Sequence, residues 1–329
     1  MPSFLPISNQ QRRPRLVCEV RSGSVTTARA DEATGLLAQV SHATLPEGAM
    51  TPSLHVGNIA DRETVVSALR RTLGAVHLRS RDVTLIVPDA SVRVLLLDFD
   101  TLPSKTADAI AVVRFRLTKL LSFDPETAAV SYQVLSQGSG IMQVLAVAMP
   151  RAVLAEYESA VRDAGYEPGS VLPSTLALAG ALHATEPVLV INAANRSITT
   201  AIFRRGDVLL HRTLDLHPAP PQGEILPPAL AAPSAEETTL ALTVADDTDF
   251  VASEIQQAMT VAAAYFEDSF GMPPRQVFVA GEDHAAAVQL AMQLDLEPQE
   301  IVTSTDILAT ATTSVARSLL AGLRGVTTL

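Results

Sequence analysis

Apolar residues recur along this chain in two rhythms, and the switching between them outlines its elements. Asp61 to Leu73 carries Val65, Leu69 and Leu73 four apart, the spacing that stacks side chains on one helical face. Ile110, Val113, Leu117 and Leu120 repeat that stripe, with Ser104 placed as N-cap and Asp108 in the first turn. Arg151 to Ala164 turns Leu154, Tyr157, Val161 and Ala164 inward, and Gly165 is placed to end it in a left-handed conformation. Phe250 to Phe266 is a strongly amphipathic helix, with Val251, Ile255, Ala258, Ala262 and Tyr265 on one side. Helices are also predicted from Ser174 to about His183, Ala285 to Met292 and Ile307 to Leu323.

Short β-rich runs separate these helices. Arg15 to Val25 predicts a strand and a tight turn, and Val25 to Ala30 a second strand. Val83 to Val87, stopped at Pro88, and Val92 to Leu97 follow. Ala128 to Val134 and Met142 to Val147 are joined through Ser136-Gln137-Gly138-Ser139-Gly140. Val188 to Ile191 is apolar throughout, which predicts a central strand. Ile198 to Phe203 and Asp207 to Leu210 form a hairpin about Arg205-Gly206, and Gln276 to Ala280 is a buried type of strand. The class is α/β. Residues 1–14 are polar and form a loose arm, and 217–249, with six prolines from Pro218 to Pro233, form a flexible loop. No short-period repeat is present.

Composition narrows the function. Hydrophobic residues make up 47% of the 329, but aromatics only 4%, so the core is built from Ala, Val and Leu. Cys18 is the single cysteine, which excludes an intramolecular disulfide and a cysteine-based metal site and fits a reducing compartment. A net charge of -11 argues against binding nucleic acid or an anionic bilayer. No apolar run approaches the roughly 18 residues of a spanning helix, and the N-terminus lacks the apolar core of a secretory signal. Any membrane role is therefore expected to run through a partner.

Conventional catalytic motifs are missing from the sequence. The histidines at 42, 55, 77, 183, 211, 217 and 284 form no short ligand pair, so no metal is expected. Asp98 and Asp100 flank Phe99 and are expected to face solvent. There is no P-loop, no GxSxG and no Cys-His pair, so no catalytic residue is assigned and an enzyme is not expected.

Leu96 to Val171 is the most specific stretch. Leu102-Pro103 precedes its first helix and Leu121-Ser122-Phe123-Asp124-Pro125-Glu126 follows it. Then come Ser131-Tyr132-Gln133-Val134-Leu135, Val144 to Arg151, and Ala164-Gly165-Tyr166-Glu167-Pro168-Gly169. In order and spacing this resembles the inserted subdomain of the PilM family, actin-like cytoplasmic proteins of type IV pilus assembly. The resemblance implies a two-lobed actin-like fold with an inserted β-α-β-β-α subdomain and, given 217–249, a reduced lid. Lobe I takes 15–82, 172–187 and 307–329, the subdomain 83–171, and lobe II 188–306.

The resemblance also locates a nucleotide site. Its first phosphate loop falls at Glu19 with Ser22-Gly23-Ser24, where the family usually begins with Asp. Ser-Gly-Ser is also an ordinary hairpin turn, and Glu19 is readable either as a relic magnesium ligand or as a strand charge. The second loop, an Asp-x-Gly pattern in the family, reads Asn192-Ala193-Ala194: one charge is lost and a methyl hinders backbone approach. At the adenosine loop a Gly pair is expected and only Gly281 follows Ala280. These departures imply weakened or lost nucleotide binding, no useful hydrolysis and no required cofactor, with ATP and magnesium as the alternative.

As a partner the resemblance implies a PilN-like inner-membrane assembly protein. Its cytoplasmic tail sits in a groove between lobe I and the subdomain, near 83–121, leaving this chain cytoplasmic and peripheral to the inner membrane. Arg114, Arg116 and Lys119 form a basic strip there, readable as a solvated helix face or as a landing site for that tail. Three alternatives stay open: a nucleotide-gated ATPase of the same machine, a GspL-like type II secretion component, and an FtsA-like protein.

Overall fold

A computed structural model describes residues 14–76, 80–138, 140–216, 247–309 and 314–328. The loose arm and most of the proline-rich stretch fall outside these residues, as does the interval that bears on a reduced lid.

The first half is built on a five-stranded sheet. β1 (Leu16–Val20), β2 (Ser24–Ala30) and β3 (Leu37–Thr44) form an antiparallel meander, and α1 (Arg62–Ala75) follows. Asp61 caps α1 by accepting from the Thr64 N–H, and Val65, Leu69 and Leu73 are buried as their spacing requires. β4 (Asp82–Val87) then lies parallel to β1.

The chain next leaves this sheet for the inserted subdomain. β5 (Arg93–Phe99), α2 (Thr106–Leu117), β6 (Ala128–Gly138), β7 (Ile141–Pro150) and α3 (Arg151–Asp163) give β-α-β-β-α around a sheet of order β5-β7-β6. Three details differ from expectation. Lys105, not Ser104, sits at the N-cap of α2, without a side-chain cap. Leu120 lies beyond the end of α2 and is exposed, so Ala109, Val113 and Leu117 form the inner stripe. In α3 the buried face turns toward Val153 and Ala160, leaving Leu154 only partly buried. Gly165 does end that segment, at φ 90.

β8 (Glu167–Pro173), which the sequence pattern did not reveal, returns to the first sheet and pairs with β4, giving the order β3-β2-β1-β4-β8. α4 (Ser174–Leu178) starts immediately after it. Pro173 occupies the cap position, so Ser174 is the first helical residue and its hydroxyl turns elsewhere.

The second half repeats the plan. β9 (Val188–Ala194), β10 (Ser197–Arg204) and β11 (Asp207–Asp215) form an antiparallel meander. Arg205 and Gly206, at φ 53 and 88, make the predicted tight turn. α5 (Asp247–Phe270), β12 (Gln276–Gly281), α6 (His284–Gln293) and the short polar β13 (Glu297–Glu300) complete it, in the order β11-β10-β9-β12-β13. β9 is central, as its apolar run required. On α5, Phe266 faces the core in place of Tyr265, which is exposed.

Among the described residues, the predicted helix from Ile307 to Leu323 is α-helical from Ala321 onward and not before it. Ile307 bridges Leu37, a 3-10 turn spans Arg317–Leu320, and only α7 (Ala321–Thr328) is α-helical. α7 packs closely because of its glycines. A Cβ on Gly325 would lie 2.1 Å from the Ala177 carbonyl oxygen, and one on Gly322 would lie 2.9 Å from Glu19 Oε2.

The inserted subdomain is knotted to the first half through one buried amide. Asn58 Oδ1 accepts from the Ser53 N–H, and it shares the Ser91 and Tyr157 hydroxyls, at 2.8 and 3.0 Å. Glu156 of α3 accepts the N–H groups of Gly57 and Asn58, and Arg62 of α1 pairs with Asp163 of α3 at 2.7 Å.

Candidate functional site

The ends of β1, β4, β9 and β12 converge on a cleft of about 510 Å³ between the two halves. Arg21, Ser22, Glu47, Asp89, Asn192 and Arg196 line it. Its position is the one expected for a crevice at the carboxyl ends of parallel strands.

Its floor is a buried polar network. Glu19, on β1, pairs with Arg21 at 2.6 Å, and both side chains are almost fully buried. Glu19 also accepts the Ser174 hydroxyl at 2.6 Å. Arg21 donates to Ser174 Oγ at 3.2 Å and to Asn192 Oδ1 at 3.4 Å. Asn192 donates to Ser174, Thr175 and Asp89, while Asp89 accepts the backbone N–H and hydroxyl of Thr175. Burial pushes the Glu19 carboxyl above its usual range. The Arg21 charge and the Ser174 hydroxyl pull it down, and Asp89 and Glu282 push it up. Glu19 Oε2 and Arg21 Nε are buried without a hydrogen-bond partner.

The β1–β2 turn forms the rim. The Ser22 hydroxyl donates to Glu282 Oε2 at 2.7 Å, and the Gly23 N–H and Ser24 hydroxyl both donate to Glu282 Oε1 at 3.0 Å. Glu282 is delivered by Gly281, whose φ is 107. A Cβ at Gly281 would stand 1.9 Å from the Ala193 carbonyl oxygen, so only glycine lets β12 end this close to β9.

The residues picked out from the sequence thus divide. Glu19, Ser22, Gly23, Ser24, Asn192, Ala194 and Gly281 meet at one cleft. Ala194 lines it beside an exposed turn, Asn195-Arg196, the counterpart of the β1–β2 turn. Sequence reading missed Asp89, the adjacent pair Ser174-Thr175, and Glu282, three places far apart in the chain and in no motif. The carboxylate next to Gly281 was the one local signal.

The basic strip on α2 does not hold together. Arg114 is half-buried and donates to the Pro125 and Ala128 carbonyls, which fastens α2 to the segment after it. Arg116 and Lys119 remain exposed, beside Phe115 at 78% and Leu120 at 50% exposure. Asp98 and Asp100 face solvent. Among the described residues no cluster of three His, Cys, Asp or Glu could hold a metal, and no helix is long and apolar enough to cross a membrane.

No family model matches the chain, and no curated protein matches it. Solved structures do. The PilM-PilN type IV pilus biogenesis complex aligns with a TM-score of 0.67 at 17% identity, over 90% of this chain and 90% of that one. The ethanolamine utilization protein EutJ from Carboxydothermus hydrogenoformans aligns at 0.49, with 12% identity over 97% and 91% of the two chains. The cytoplasmic domain of EpsL, an inner membrane component of the type II secretion system of Vibrio cholerae, aligns at 0.48, with 11% identity over 94% and 92%. The last two are too distant to carry an argument. The doubled sheet order, the crevice between the halves and the first of these alignments together establish the fold: the chain has an actin-like fold of α/β class.

Proposed function

We propose that this protein is a scaffold of a type IV pilus assembly machine that binds the cytoplasmic tail of a PilN-like inner-membrane protein, without using a nucleotide. The observation that carries this reading is the fold shared with the PilM-PilN complex over nine-tenths of both chains. With it goes the placement of the protein in the cytoplasm, held at the inner membrane through that partner.

The cleft supports the second part of the reading. A magnesium nucleotide needs donors free to meet phosphate and carboxylates free to meet the metal's waters. Here the three donors of the β1–β2 turn are engaged by Glu282, and Glu19 is engaged by Arg21 and Ser174. The residues present therefore do not fit the group, and no hydrolytic step is assigned to them.

The tail is assigned to the outer face of α2 and the turn that follows it, where Phe115 offers an apolar anchor and Arg116 and Lys119 offer charge. An extended tail with acidic and apolar residues matches that surface. The test is a pull-down from detergent-solubilised membranes with and without Mg-ATP, followed by titration of the recovered protein's tail as a peptide. Recovery of a single-span protein with a short cytoplasmic N-terminus, equally in both conditions, supports the reading. Recovery only with ATP supports the nucleotide-gated alternative. The triple variant Phe115→Ser, Arg116→Glu, Lys119→Glu is expected to weaken the peptide by tenfold or more, equivalent to about 1.4 kcal/mol. Its stability should stay within about 0.5 kcal/mol of the parent, because these side chains are exposed.

A further inference from the structure

The turn between β1 and β2 aims three donors at one point: the Gly23 N–H and the hydroxyls of Ser22 and Ser24. A concave group of N–H and O–H donors around a glycine is a site for an oxyanion. Its occupant is the carboxylate of Glu282, which uses both oxygens and comes from 258 to 260 residues away. Gly281 holds the backbone against β9 so that this side chain reaches across the cleft.

We infer that Glu282 is a tethered substitute for phosphate: a carboxylate on the second half that fills the oxyanion site of the first half and latches the two together. A carboxylate and a phosphate compete for the same donors, because each presents oxygens bearing negative charge. The tether settles that competition. A group carried on the same chain acts at an effective concentration in roughly the millimolar range, so a weakly held free anion is displaced. Electrostatics act in the same sense. An arriving phosphate meets Glu19, Asp89 and Glu282, while Arg21 beside them is already paired at 2.6 Å and Arg196 lies on the exposed turn of the opposite half. The altered cleft thus keeps an anion as a fastener between its halves. The inference rests on reading this turn as a former phosphate loop and is independent of the pilus assignment, since no partner enters its test.

The test uses the full chain and inorganic pyrophosphate without magnesium, in the parent, Glu282→Gln and Glu282→Ala. Calorimetry reads the affinity. Spin labels at Glu47→Cys and Asn195→Cys, on opposite lips of the cleft, read its opening, and Cys18 is buried and stays unlabelled. The parent should give a narrow distance distribution and weak pyrophosphate binding. Glu282→Ala should broaden the distribution and bind pyrophosphate at least about tenfold more tightly, because the competent site is no longer occupied. Glu282→Gln, which keeps the shape and loses the charge, should fall between them, and it carries the test if the alanine variant does not fold. Parent-like affinity and distances in the variants would overturn the inference. So would a parent that already binds pyrophosphate as tightly as Glu282→Ala.

Discussion

The two halves repeat one sheet plan but place opposite chemistry at equivalent turns. β1–β2 and β9–β10 are both antiparallel hairpins beside a parallel strand, β4 in one half and β12 in the other. The first turn is drawn inward, with Arg21 buried and Ser22 to Ser24 bound to Glu282. The second, Asn195-Arg196, is exposed. Shared topology therefore fixes where a turn lies relative to the cleft, and the side chains decide whether it receives a ligand, a carboxylate from the other half, or water.

The comparison breaks most severely at Gly281. Gly281→Val places a side chain into the Ala193 carbonyl at a positive φ and should destabilise the second half by about 4 kcal/mol or more, enough to lose soluble protein. Chemical denaturation or soluble yield reads this, and a normally folded variant would show that the strand ends can separate.

Arg21→Ala comes next. It leaves Glu19 buried beside no cation and should cost about 3–5 kcal/mol, partly recovered by adding Glu19→Gln. The pH dependence has a definite sign. The folded carboxyl of Glu19 lies above its unfolded value of 4.5, so its contribution to stability is full below that pH and is lost as the pH rises through the folded value. Removing Arg21 takes away a lowering influence, so the loss should shift to higher pH and deepen. Denaturation midpoints across the acidic range give the check, and an unchanged profile would remove Glu19 as its source.

Cys18 gives the smallest and most selective effect. Burial pushes its thiol up to about 12, so alkylation in the folded protein should be negligible at neutral pH. It lies on β1, and the second half has no cysteine. The alkylation rate in mild denaturant therefore reports opening of the first half alone. Rapid alkylation of the native protein would mean that β1 is exposed more often than its packing allows.

Much of the fold was legible because its signals are periodic. α1, α3, β9 and the β10–β11 hairpin each carry an apolar rhythm or a turn pair that few other structures would satisfy. The strands that escaped, β3, β8 and β13, lie at sheet edges. β8 and β13 include Pro, and β13 reads Glu-Pro-Gln-Glu, so little apolar alternation marks them. The site was half legible for a related reason. Glu19, Ser22, Asn192 and Gly281 sit at strand ends where the resemblance directs attention. Ser174, Asp89 and Glu282 are assembled only by tertiary packing, and Ser174, at the start of a predicted helix, places its hydroxyl on Glu19.

The knot at Asn58 has a mechanical consequence. Several direct hydrogen bonds converge on one buried amide, and Arg62–Asp163 braces the same joint from outside. A pull on α2 or β5 is therefore transmitted to the first sheet as through a rigid bracket, while the cleft beyond it yields where Glu282 lets go. The molecule behaves as a stiff handle joined to a releasable clasp.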